Sequence, residues 1–139
     1  MPMFEKLTVF LTKINIDKYG KWSEQPPDAD GTSEHPYQFP FVIYETVIDE
    51  FVHEVYAFID SHKDMELTKY SLILEEKGIK WSSREMKTVD VSSLDGRTVM
   101  ALIVGAIRAE RFCDGALLDF FESGSIRKWL ERLNELDNG

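Results

Sequence analysis

Val99-Met100-Ala101-Leu102-Ile103-Val104-Gly105-Ala106-Ile107 is a run of nine residues without a charge. A bilayer span takes about 20 such residues, so the run is a buried helix and not a membrane segment. It is preceded by Ser92-Ser93-Leu94-Asp95. That is the spacing of a capping box, in which a serine and an acidic side chain satisfy the free backbone donors of a helix start. It is followed by the polar run Arg108 to Asp114 and by Gly115. The reading is a central helix around which the other elements pack, and it places the chain in the mainly α class.

Working outward, Leu117, Leu118 and Phe121 suggest a short helix stopped at Ser123-Gly124. Ser125 then reads as the cap of a last helix, whose Ile126, Trp129, Leu130, Leu133 and Leu136 keep helical spacing. On the other side, Ser82-Ser83-Arg84-Glu85 has capping-box spacing for one turn, after an Ile79-Lys80-Trp81 that could be extended. Leu67, Tyr70, Ile73 and Leu74 define a helix over about 65–77, with Gly78 as its left-handed cap. Residues 44–61 carry a broad apolar stripe opposite Glu45, Asp49, Glu50, Glu54 and Asp60, with no base on that face. Like charges four apart repel, so something outside that helix has to compensate. Phe4, Leu7, Phe10, Leu11 and Ile14 make an amphipathic helix over 3–15. Between Gly20 and Pro40 lie Pro26, Pro27, Pro36 and Gly31, which cannot propagate a helix. The expectation is one domain, residues 1–139, built as a compact bundle of five to six helices with a Pro-rich loop at 20–40 and a short extended segment near 39–43.

Sixteen Lys and Arg against 25 Asp and Glu leave a net charge of -9, which argues against non-specific nucleic-acid binding, because phosphates need a positive field. Residues 1–70 hold 13 acids and 6 bases, residues 71–139 hold 12 acids and 10 bases, and all six arginines lie in the second part. Either the two parts neutralise each other within one fold, or the acidic helix of one copy meets the arginines of another, as a homodimer. A single cysteine and the absence of a basic-then-apolar leader fit a reducing, cytoplasmic setting.

Arg108-x-Glu110-Arg111-Phe112-x-Asp114-Gly115 is the most informative local pattern. If the helix continues, Arg108 and Arg111 share a face, and they either pair with Glu45, Asp49 or Glu50 or with Asp114 itself, or grip a carboxylate or phosphate bidentately. The aromatic loop ends Trp22 and Tyr37 could wall a pocket or a partner surface over that cluster. Glu50-x-x-His53 is half of a di-iron helix pattern, but no second copy exists, so no metal and no cofactor is expected. Cys113 reads as a small buried hydrophobe, since no histidine lies near it in sequence to act as a base. The outline 115–136, with Arg127, Lys128 and Arg132, is that of a helix-turn-helix, yet Glu131 and Glu135 nearly cancel the bases and an αα-hairpin closing the core fits better.

Ala101-Leu102-Ile103 through Ile107-Arg108-Ala109-Glu110-Arg111-Phe112-Cys113-Asp114-Gly115, Glu122-Ser123-Gly124-Ser125-Ile126 and Leu130-Glu131-Arg132-Leu133 resemble a small bacterial family known as domain of unknown function 6508. Gly20-x-Trp22 and Pro36-Tyr37 to Tyr44 extend the likeness to the front half. The resemblance implies a compact helical cytosolic protein and brings no activity, cofactor or catalytic residue. The function expected is a binding or protein-interaction module whose candidate site is Arg108, Glu110, Arg111, Asp114, Trp22 and Tyr37, taking an unknown protein or a small anionic ligand. The alternatives are an enzyme on a small anionic substrate, with Glu110 or Asp114 as acid or base, and a nucleic-acid accessory protein using the last helices.

Overall fold

The computed structural model describes residues 3–24, 27–36 and 40–138. Two short helical segments, α1 (Glu5–Thr8) and α2 (Phe10–Lys13), meet at Val9, where the continuous helix expected over 3–15 is interrupted. Strands β1 (Gly20–Trp22) and β2 (Val42–Tyr44) follow, then helices α3 (Thr46–Ser61), α4 (Tyr70–Glu76), α5 (Ser83–Thr88), α6 (Gly96–Ala109), α7 (Ala116–Glu122) and α8 (Ser125–Asn138). The fold is mainly α, as its periodicity requires. The extended segment exists, shifted to 42–44, and it pairs antiparallel with β1 in the register Gly20 with Tyr44 and Trp22 with Val42.

Every residue of α6 from Thr98 to Ile107 is buried, so the uncharged run is the axis of the core. Around it pack Phe51 and Val55 of α3, Leu74 of α4, Met86 of α5, Phe120 of α7, and Trp129, Leu130 and Leu133 of α8. Leu7 and Phe10 close the same cluster from the N-terminal side. That end is held by α8, since the Met3 and Phe4 N–H groups donate to the two Asp137 carboxylate oxygens at 3.0 and 2.9 Å.

Three further boundaries differ from the sequence reading, and each difference has a local cause. Asp95, not Ser92, caps α6, accepting from Thr98 N–H at 2.9 Å, while Ser92 is consumed by Asp90, to which its N–H and hydroxyl donate. The helix expected over 65–77 is regular only from Tyr70, because Glu66 adopts φ 52 between two single 3-10 turns. Ser125 lies inside α8 and shares a hydrogen bond with the Ser123 hydroxyl at 2.8 Å. The reading holds at two other helix ends. Ser82 caps α5 by accepting from Glu85 N–H, and Gly78 follows α4 in the left-handed region at φ 73.

Candidate functional site

Helix α6 stops at Ala109, whose carbonyl accepts from the N–H groups of both Phe112 and Cys113 at 3.0 Å. The chain thus leaves the buried helix in a tight turn before the arginine and carboxylate residues can share one helical face. Glu110 folds back from this turn onto the start of α7. Gly115 N–H donates to both of its oxygens at 3.1 Å, and Leu117 N–H donates to Oε1 at 3.0 Å. The Tyr44 hydroxyl donates to the same oxygen at 2.7 Å, and its own oxygen accepts from Leu118 N–H at 2.9 Å. The first N–H groups of a helix have no partner within it, and a carboxylate there is also favoured by the helix dipole. Glu110 and Tyr44 supply those partners, joining β2, the turn and α7 in one latch.

The carboxylate expected to act as an acid or base therefore has its lone pairs directed at three donors of the protein itself. Burial, and then the hydrogen bond and charge of Glu110, push the Tyr44 phenol well above its ordinary value of 10.0. Unfolding frees that phenol to ionise at its ordinary value, so the unfolded chain is favoured increasingly as pH climbs past that point. Between about pH 9 and pH 11 the unfolding free energy of the native sequence should fall more steeply than that of Tyr44→Phe, as measured by urea titration at each pH. Parallel curves for the two proteins would show that the phenol is not held neutral by the latch.

Trp22, at the end of β1, lies over Gly115, where a side-chain carbon would come within 2.7 Å of the indole Cη2. One aromatic end of the long loop thus does reach the turn; the other, Tyr37, lies outside the described residues. Arg108 is half-buried with its guanidinium carbon 5.9 Å from the centre of the Tyr56 ring, within the range of a cation–π contact. Arg111 and Asp114 are exposed. Among the described residues neither Arg108 nor Arg111 has a carboxylate at ion-pairing distance, so the expected ties to Glu45, Asp49 or Glu50 are not made. Cys113, expected to be buried, is exposed, because the turn at Ala109 carries it out of the apolar stripe.

The sequence reading missed the aromatic residues beside this turn. Phe112 is 77% exposed and meets Trp81 edge-to-face at a ring separation of 5.7 Å. Trp81 in turn meets Tyr70 at 5.2 Å, and its indole N–H donates to the Gly105 carbonyl at 2.9 Å. The three rings form a continuous surface stack fixed to the central helix. A phenylalanine among charged residues, three positions beyond the end of an apolar helix, was the available signal.

Four other bases are used internally. Lys128 donates to the carbonyls of Lys87 and Val89, Arg132 to that of Leu94 and Arg127 to that of Leu11. Arg97 donates to the Met65 carbonyl at 2.8 Å. Arginines therefore link the two parts of the chain through backbone oxygens, whereas each ion pair among the described residues lies within its own part. The acidic face of α3 has its compensation in the N-terminal helices: Asp49, Glu50, His53 and Glu54 line a groove of about 560 Å³ whose other wall includes Lys6 and Lys13. Arg108, Glu110, Arg111, Asp114 and Trp22 line none of the five best-formed clefts among the described residues. Among the described residues no helix is long and apolar enough to cross a membrane.

A family of unknown function, DUF6508, has a sequence model that matches residues 4–139. No curated protein and no solved structure matches the chain.

Proposed function

The chain belongs to this family of unknown function, and from that premise we propose that it is a protein-interaction module whose contact surface is the corner formed by Arg108, Arg111, Phe112 and Trp81. The observation that carries this reading is the exposure of Phe112, at 77%, on a turn that Glu110 and Tyr44 tie to the start of α7. A large aromatic side chain gains nothing from water, and an exposed aromatic next to an arginine in the chain has the composition of an interaction hot spot. The exposure of Phe112 supports a macromolecular partner, because small ligands are taken up in concave sites that bury most of their surface. The bonds made by Glu110 weigh against the enzyme reading, since a base must be within reach of a substrate proton. The inward use of Lys128, Arg132 and Arg127 weighs against the nucleic-acid reading.

The test compares capture of cellular proteins by the immobilised native chain, by Phe112→Ser and by Val9→Ser, the last altering an exposed apolar residue of the N-terminal segment. Phe112→Ser should leave the melting temperature nearly unchanged, because substitutions at exposed positions stay within about 0.5 kcal/mol. Proteins retained by the native chain and by Val9→Ser should be lost with Phe112→Ser. An identical set of captured proteins for all three would remove the corner as the interaction surface.

A further inference from the structure

We propose that the partner of this corner is an acidic segment of another protein, carrying an aromatic or aliphatic anchor that seats against Phe112 and Trp81 while its carboxylates pair with Arg108 and Arg111. The proposal rests on the interaction-module reading and adds the chemistry of the partner. Three observations carry it. Arg108 and Arg111 have no carboxylate partner among the described residues, although the chain holds 25 acidic residues. Arg127, Arg132 and Arg97, by contrast, donate to backbone carbonyls within the fold. Arg111 directly precedes Phe112 in the turn, and Phe112 continues a row of edge-to-face rings through Trp81 to Tyr70, where an arriving apolar side chain would displace water. Guanidinium–carboxylate pairs strengthen when their surroundings are desolvated, and the guanidinium fork matches a carboxylate bidentately.

The exposed carboxylate within the turn itself is Asp114, since Glu110 is bound to α7. A second copy fits less well. Its acidic α3 face already has Lys6 and Lys13 across the groove, and each copy carries a net charge of -9, so two copies repel. Neither arginine lines any of the five best-formed clefts among the described residues, where a free phosphate or small carboxylate would be enclosed.

The experiment selects random phage-displayed peptides, about a dozen residues long, on the full immobilised chain. The enriched sequences should place Asp or Glu beside Trp, Phe or Leu. A synthetic peptide of that sequence should bind the native chain, weaken as salt rises, and lose roughly tenfold or more in affinity with Arg111→Glu and with Phe112→Ser. The same peptide with Lys in place of its acids should bind the Arg108→Glu/Arg111→Glu chain better than the native one. Arg111 is exposed, so Arg111→Glu alone keeps the charge test intact should the double variant melt early. Enrichment of neutral or basic peptides that still require Phe112 would overturn the acidic partner and leave the interaction module standing. Acidic peptides indifferent to both variants would overturn the corner as well. No enrichment would overturn the acidic-segment proposal, with the cellular capture comparison deciding the module independently. Concentration-dependent self-association abolished by Arg111→Glu would reassign the corner to a second copy.

Discussion

Replacing Glu110 by alanine is expected to lower the unfolding free energy by about 3 kcal/mol and the melting temperature by roughly 10 °C. The carboxylate accepts from Gly115 N–H, Leu117 N–H and the Tyr44 hydroxyl, and hydrogen bonds to a charged acceptor are each worth about 1.5–3 kcal/mol. The upper end of that sum is not reached, because the turn is only half-buried and water can reach some of the abandoned donors. Glu110→Gln should fall between the native chain and the alanine variant, since one oxygen still accepts while the amide nitrogen faces a backbone donor. Thermal and urea unfolding of the three proteins measure this order. A catalytic carboxylate would give the opposite signature, with Glu110→Gln fully folded and functionally silent. Equal stability for all three proteins would show that α7 does not depend on the latch.

The role of Glu110 was not legible in the sequence, and the reason is geometric. Its partners are five to seven residues ahead and 66 residues behind, so they become partners only because α6 ends at Ala109 and β2 ends beside α7. Nothing in Arg108-x-Glu110-Arg111 distinguishes a helix that continues from one that turns. The uncharged run Val99 to Ile107, by contrast, could be read as the core because no other placement hides nine consecutive apolar or small residues. The Ser82 cap was legible for a similar reason, since a capping interaction closes within four residues. The competing claim of Asp90 on Ser92 is equally local, yet it displaced the expected cap, because two overlapping acid–serine spacings were available and only one could form. Strand β1 is three residues long and finds its partner across the Pro-rich loop, so its alternation was too short to register. The charge asymmetry of the chain was real, but its resolution was not pairwise: arginines in the second part donate to carbonyls of the first, and the acids of α3 face lysines of the N-terminal helices. What remains unpaired on the outer side of the turn is the pair Arg108 and Arg111, which is why the candidate surface narrows to them and to a phenylalanine that composition alone did not single out.

Gly115→Ala should cost about 2–3 kcal/mol and release Trp22 from the turn. Gly115 has φ 90, in a region that an alanine enters only at about 1–2 kcal/mol, and it is the residue whose N–H reaches both oxygens of Glu110. An added methyl group would also meet the Trp22 ring, within 2.7 Å of Cη2. Trp22 is 47% exposed and can swing outward, so this second contribution is the smaller one. Trp22→Ala and the double variant separate the two. With the indole gone, Gly115→Ala should retain the backbone penalty alone, and the shortfall from additivity measures the collision. Fluorescence provides a second readout: Gly115→Ala should shift part of the tryptophan emission to the red as Trp22 enters water, while Trp81 and Trp129 stay fixed by Gly105 and by the core. If the loop end helps hold the turn that presents Phe112, the same variant should weaken binding at the corner without touching Arg108, Arg111 or Phe112. Unchanged binding together with a full red shift would separate the loop from the interaction surface and leave the Glu110 latch alone to hold the turn.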